Sequence, residues 1–470
     1  MRNAQRLSVP IHLERPSARS LHEQLAEQLR KAIDAGQFAA GTRMPSTRTM
    51  AEVLEISRGV VVAAYEALLS EGYITGRKGS GTYVAARPHR KEHGPAAEPV
   101  EEEHSLIDMR PGRACTAGFP LTEWRSAWRR ASHHVPFAGE PPPLGLPELR
   151  QAIALHLRDS RGLVPAQHEI VVTDGYASAV RLLVQALGRP VVIGLEDPAP
   201  PRTRAAFAAH GTVVPLVVDE EGAQPALIPD NCDIVVLMPE RNDPLGVRMS
   251  PQRRQEIADW AAQNRRIVVE PASDGVFSVG SSPLPSILAI GDAGSTVMIG
   301  TFCEVLTPAV RVAYLVAPRH LAEVMADQVS ERPSAVCQRA SAELLRSGSV
   351  GRRLSRLSTL YQPKRLLIQA ALGGFAEVGL AGPDSGSSMT LLLPGDVRAG
   401  EIVRMLRRNE LIAADLADYC HPDGHHRNGV VIGYGHLDDM TLRRALRLIT
   451  RALDDHGLAR RTHRYRRTVA

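Results

Sequence analysis

Between residues 169 and 318 the chain repeats one pattern six times: a short unbroken apolar run, as in EIVVTDG, PVVIGLED, CDIVVLMPE, RRIVVEP, STVMIGT and VAYLVAP. Such a run has no polar alternation, so a strand built from it offers no face to water and must be covered on both sides. Helical stretches such as LPELRQAIALHLRDSRG and PQRRQEIADWAAQNR alternate with the runs and can supply the cover. The pattern predicts an α/β body over 106–455, with a large, mostly parallel sheet and helices on both faces. Toward its end MTLLLPG and GVVIGYG stand as strands among helices, which predicts a smaller α+β subdomain at about 351–455.

Residues 1–85 follow another rule. SLHEQLAEQLRKAIDA spaces Leu21, Leu25, Leu29 and Ile33 four apart, one apolar stripe on a helix with Ser20 as its N-cap. Two shorter helices start at Ser46 and Ser57, and YITGRKGSGTYVA reads as two strands about a Gly/Ser turn. Three helices and a hairpin make a winged helix-turn-helix. Residues 86–105 carry Pro95 and Pro99 with no periodicity and read as a linker; 456–470 form a basic tail.

Composition narrows the functions. With 470 residues, 44% of them hydrophobic, the chain can bury a sizeable core. The net charge is +5, and basic residues crowd toward both ends, which suits a nucleic-acid partner. Cys115, Cys232, Cys303, Cys337 and Cys420 form no C-x-x-C pair, against a zinc site or a disulfide framework. No apolar run reaches the roughly 18–20 residues of a membrane span. The expectation is a cytoplasmic protein with no membrane partner and no metal. HPDGHH at 421–426 reads as a solvated loop, and Cys303 beside Glu304 as an inert thiol.

Over about 65 residues the first domain resembles GntR-type readers of DNA. The landmarks are P-S-x-R at Pro45–Arg48, S-R at Ser57–Arg58, E-G-Y at 71–73 and G-S-G-T at 79–82. The resemblance implies a second helix over the DNA backbone, a third in the major groove and a wing at the minor groove. Helix N-termini at Ser46 and Ser57 favour phosphate, and Arg48 and Arg58 stand in the first turns, within reach of base edges or phosphates. The DNA-binding candidates are Ser46, Thr47, Arg48, Ser57, Arg58, Arg77, Lys78, Gly79 and Ser80. Glu55 stands where the family has glycine, and Val60 where it often has threonine.

The body is similar to that of MocR-type regulators, which join such a reader to a fold-type I aminotransferase domain binding pyridoxal phosphate. MRPGRACTAGFPLTEWRSAWRRA, LGLPELRQAIALHLRDSRGLVPAQHEIVVTDG and PLGVRMSPQRRQEIADWA carry the likeness. The cofactor positions depart from it. The family lysine is Glu304, in TFCE. The carboxylate for the pyridine nitrogen is Pro271, with Ser273 two residues on. The ring-stacking aromatic is Pro200, the phosphate cup reads Gly175-Tyr176-Ala177-Ser178, and the substrate arginine is Val431. Arg311 alone matches its phosphate-binding counterpart. The chain has four lysines, and the only one after residue 91 is Lys364, in a helix of the small subdomain.

The expectation is a DNA-binding regulator without enzymatic activity or cofactor, its body a platform for a homodimer and for an unidentified small-molecule effector. The alternatives are a pyridoxal-phosphate-dependent MocR-type regulator or aminotransferase, and a constitutive DNA-binding protein. Tyr176, Arg241, Asn242, Ser273, Glu304 and Arg311 are the pocket candidates, with Glu304 and Arg311 either flanking a ligand or pairing with each other.

Overall fold

The computed structural model describes residues 11–15, 19–77, 81–85, 106–164, 167–273, 284–292, 294–382, 384 and 386–458. The chain divides into two compact units, Met1–Glu102 and Glu103–Ala470. The stretch 86–105 and residues 459–470 lie outside the described residues.

The first unit holds α1 (Leu21–Asp34), α2 (Thr47–Leu54), α3 (Arg58–Ser70) and an antiparallel hairpin of β1 (Ile74–Arg77) and β2 (Gly81–Val84). Ser20 precedes α1 as expected, and the Glu23 carboxylate accepts from its N–H at 2.9 Å and its hydroxyl at 2.7 Å. The stripe of α1 buries Leu25 and Leu29 against Met50, Val61, Leu68 and Ile74. Arg30 grips Glu71 with two hydrogen bonds of 2.8 and 2.7 Å and ties α1 to the end of α3.

In the second unit the strands are β3 (Ile107–Asp108), β4 (His168–Thr173), β5 (Val192–Asp197), β6 (Thr212–Asp219), β7 (Gly222–Ala223), β8 (Ile234–Val236), β9 (Ile267–Ser273), β10 (Thr296–Thr301), β11 (Ala313–Pro318), β12 (Gly379–Ala381), β13 (Ser388–Leu392), β14 (Leu411–Ile412), β15 (Ala414–Asp415) and β16 (Gly429–Gly433). The helices are α4 (Leu121–Ser132), α5 (Pro147–Arg161), α6 (Tyr176–Ala186), α7 (Pro201–Ala208), α8 (Pro251–Asn264), α9 (Ile287–Ile290), α10 (Arg319–Gln328), α11 (Ala335–Arg346), α12 (Ser349–Leu372), α13 (Ala399–Arg408) and α14 (Asp439–Asp455).

Eight strands form one sheet in the order β4-β11-β10-β9-β8-β5-β6-β7. The central pairs are parallel, and β11 runs antiparallel to both neighbours. Alternate side chains of a strand point to opposite faces, and both faces are covered. Val171, Val297, Ile299 and Leu315 pack with Leu183, Phe207 and Met325 from α6, α7 and α10. Their neighbours Val172, Met298 and Val316 pack with Ala131, Ile153 and Leu344 from α4, α5 and α11. That is the two-sided burial the unbroken apolar runs require. A smaller antiparallel sheet, β12-β13-β16-β15, sets Met389, Leu391, Val430 and Ile432 against α12, α13 and α14. Among the described residues no helix is long and apolar enough to cross a membrane.

Candidate nucleic-acid interface and body cleft

In the first unit, α2 starts at Ser46, whose Oγ accepts from the Thr49 N–H at 3.1 Å. Ser57 precedes α3 with extended backbone and no hydrogen bond from its side chain to the helix. Arg48 is 82% exposed and meets Glu52 at 3.2 Å, an i,i+4 surface pair worth little. Arg58 is also exposed and donates from Nε to the Thr47 hydroxyl at 3.4 Å, so the first turns of α2 and α3 face each other. Glu55 ends α2 at φ 52°, the left-handed conformation expected where the family has glycine. In the wing Arg77 pairs with Gly81; Lys78, Gly79 and Ser80 lie outside the described residues.

Two features of this unit escape sequence reasoning. Gln24 and Gln28 on α1 act as a clasp. Gln28 Oε1 accepts from His12 N–H at 2.9 Å while its Nε2 donates to the His12 carbonyl at 2.5 Å. Gln24 does the same for Glu14, at 3.0 Å both ways. The strap so held brings Arg15 to the carbonyl of Glu55, at 3.5 Å, behind the α2–α3 turn. The other feature is Arg43, which bridges to Tyr83 at the foot of the wing.

In the second unit, the strand ends that would face a cofactor are those of β4, β9 and β10. Arg311, at φ 49°, donates to both carboxylate oxygens of Asp174, at 3.1 and 3.2 Å. Beside the two expectations for Arg311, flanking a ligand or pairing with Glu304, the bond found goes to a third partner, which comes from the β4–α6 turn next to the phosphate-cup residues. Glu304 occupies the turn after β10 and is half-buried. Burial pushes the Tyr361 phenol of α12 up, and Cys115 and Glu304 nearby push it further. Ser273 closes β9, in register with Thr301, and Pro271 is in register with Ile299.

Three other pocket candidates are used internally. Asn242 is 1% exposed; its amide donates to Glu196 at 2.8 Å and to the Pro198 carbonyl at 3.2 Å. It belongs to the interior and does not line a cleft, because burial of Glu196 demands a donor. Burial raises Glu196 to about 7. Tyr176 packs edge-on to Phe207, centroids 6.5 Å apart, with its hydroxyl buried. Arg241 reaches across to the small subdomain and donates to the Ser388 carbonyl at 3.0 Å, while Asp243 lies 3.7 Å away. Val431 is fully buried against Leu416 and Tyr419.

Lys364 is 4% exposed, and its ammonium donates to the Gly435 carbonyl at 2.9 Å and the Leu437 carbonyl at 2.5 Å. The HPDGHH loop is not simply solvated. His421 N–H donates to Asp197 at 2.7 Å, and a side chain at Gly424 would meet the other Asp197 oxygen, so the loop packs on the end of β5. His425 and His426 are exposed, and no group of His, Cys, Asp and Glu among the described residues could hold a metal.

Residues 21–84 match the bacterial regulatory proteins of the gntR family, and residues 107–408 match aminotransferase class I and II. Over 460 residues the chain is 32% identical to the HTH-type pyridoxine biosynthesis transcriptional regulator PdxR of Corynebacterium glutamicum, covering 95% of this chain and 98% of that one. It is 28% identical over 480 residues to the probable rhizopine catabolism regulatory protein MocR of Rhizobium meliloti, covering 95% and 97%. The chain belongs to the MocR-type regulators of the GntR family. GntR-type regulators bind operator DNA, and the reader of this MocR-type chain has their elements in their order. Its body superposes on a multiple substrate aminotransferase from Thermococcus profundus with a TM-score of 0.68 at 19% identity, over 75% of this chain and 92% of that one. At that identity the likeness establishes the aminotransferase fold of the body.

Proposed function

We propose that this MocR-type chain is an operator-binding transcription regulator whose body holds no pyridoxal phosphate, catalyses no transamination and serves as a dimer platform and effector domain. The observation that carries the reading is the donor set at the cofactor positions. The cofactor needs an amine for its aldehyde, a carboxylate for its pyridine nitrogen and positive charge for its phosphate. Those positions hold Glu304, Pro271 and an Arg311 bound by Asp174 through both oxygens. A carboxylate forms no imine and a proline accepts no proton from a pyridinium; Arg311, 68% exposed, is the one position that keeps its phosphate-binding match, and Asp174 sets a negative charge beside it. Lys364, the one lysine of the body, is bound to two backbone carbonyls. The residues do not fit the cofactor. Glu304, a half-buried carboxylate where the family has its amine, would favour an effector of other chemistry.

The test uses the purified chain and a duplex selected by it from a random pool. Adding pyridoxal phosphate produces no new visible absorbance band and leaves the affinity for the duplex unchanged. A band with a changed affinity would make it a cofactor-dependent regulator. Light scattering at micromolar concentration gives the mass of a dimer, and the selected duplex contains two half-sites.

A further inference from the structure

We propose that Arg43, at the foot of the wing, contacts the DNA backbone; the proposal rests on the operator-binding reading of residues 21–84. The segment before α2 runs extended beside β2, bridged to it at Arg43 and Tyr83. Gly41 N–H donates to the Val84 carbonyl at 2.8 Å, Val84 N–H to the Thr42 carbonyl at 2.9 Å and Met44 N–H to the Thr82 carbonyl at 2.8 Å. On such a segment neighbouring side chains face opposite ways. Met44 is 3% exposed and joins the core, so Arg43 points outward.

Its guanidinium lies close to the wing backbone at Gly81. Gly81 has φ +119°, a conformation side chains rarely adopt, and a Cβ there would lie 3.2 Å from Arg43 Nε and 3.5 Å from Nη2. The absence of a side chain at Gly81 makes the space that the guanidinium occupies. Behind it, the buried Tyr65 donates its hydroxyl to the Pro45 carbonyl at 2.9 Å and fixes this segment to α3. Arg43 therefore shares one frame with Ser46 and the reading helices. It is exposed, and among the described residues no carboxylate or carbonyl accepts from it.

An exposed guanidinium presents a planar fork of donors that suits a phosphate. The nearest external anion for a residue at the foot of a wing is the sugar–phosphate backbone. The contact is therefore independent of sequence and linked to salt. Sequence reading passed over Arg43 because it lies in a loop-like stretch, GTRMPS, outside both helices and the hairpin.

The experiment measures affinity over a salt series for the wild-type chain and for Arg43→Ala, Arg43→Lys, Arg48→Ala and Arg58→Ala. The probes are the selected duplex and a scrambled one. Arg43→Ala should weaken both duplexes by roughly threefold or more and make the slope of log K against log salt shallower by about 0.9, one phosphate's worth. Arg43→Lys should keep the slope, and the melting temperature should not move. An unchanged slope in Arg43→Ala, or a loss confined to the selected duplex, overturns the proposal. If Arg48→Ala and Arg58→Ala lose affinity while Arg43→Ala does not, only the Arg43 contact falls. If none of the three alanine variants loses affinity, the operator-binding reading falls with it.

Discussion

Arg48, on α2, keeps 82% of its side chain exposed and meets a single carboxylate, while Arg254, on α8, keeps 1% exposed. Arg254 gives its donors to Glu240 at 3.0 Å and to the carbonyls of Met249, Pro239 and Pro285 at 3.2, 2.7 and 2.7 Å. Both uses occur in each unit: Arg30 of the reader is bound to Glu71, and Arg451 of the body is 81% exposed. Arg43, Arg48 and Arg58 stand outward in the reader; Arg204, Arg241 and Arg353 in the body donate to backbone carbonyls. A count of basic residues does not distinguish the two uses. What distinguishes them is whether the guanidinium already has its acceptors: where it does, it holds the fold together, and where it does not, it is available to an external anion.

The largest effect expected from that contrast is on stability. Arg254→Met leaves the Glu240 charge and three carbonyls without their donor and should destabilise the body by about 3–5 kcal/mol. Arg48→Ala should change stability by less than about 0.5 kcal/mol. Denaturant unfolding of the two variants checks both, and equal effects would break the comparison.

The buried carboxylate Glu196 gives a pH-dependent version. Its pKa is about 7 in the folded chain against 4.5 unfolded, so the folded state holds the extra proton between those values. Stability should therefore fall as pH rises from 4.5 through 7, by up to about 3 kcal/mol from this group. Glu196→Gln should flatten that fall and leave the protein more stable than wild type at pH 8. Unfolding curves at pH 5 and pH 8 give the answer.

In the reader the expected effects move from stability to binding. Arg48→Ala and Arg58→Ala should each weaken the selected duplex by roughly 1–3 kcal/mol with unchanged melting. Gel shifts beside thermal scans separate the two readouts. The smallest effect is at Glu55, held at φ 52°. Glu55→Gly should relieve the left-handed strain and, after the entropy cost of glycine, stabilise the reader by about 0.5–1 kcal/mol. The bond from Arg15 survives, since it goes to the Glu55 carbonyl. A lower melting temperature in that variant would show that the glutamate side chain has a role in the turn.

The elements that announced themselves in the sequence were those whose residues carry the constraint locally. Unbroken β-branched runs can only be covered strands, and Ser46 can be seen as a cap without knowing what surrounds it; Ser57 marks the start of α3 but its side chain does not cap it. The strand β6 was harder to see, because Pro215 interrupts TVVPLVVD; it is tolerated there because β6 pairs with β7 only near its end, at Val218 and Asp219, leaving Pro215 on an open edge. For the candidate site, the sequence is enough where identity alone decides what chemistry a residue offers, as with Glu304 and Pro271. It is not enough where partnership decides. Asp174 stands 137 residues from Arg311, and Gln24 and Gln28 look like ordinary solvated helix positions until the strap lies against them.

The central claim is that the body kept the aminotransferase fold and lost the means to hold its cofactor, and Glu304→Lys tests it most directly. The variant restores the amine but leaves Pro271, Pro200 and the Asp174–Arg311 pair as they are. Each missing charge-assisted hydrogen bond should cost about 1.5–3 kcal/mol, so one imine does not offset them. The measurement is a titration of the variant with pyridoxal phosphate, followed by visible absorbance and by borohydride trapping at residue 304. Weak binding, with little cofactor trapped at stoichiometric concentration, is the predicted result. Tight, saturable one-to-one binding trapped at that lysine would mean that the cleft is still built for the cofactor and would contradict the account.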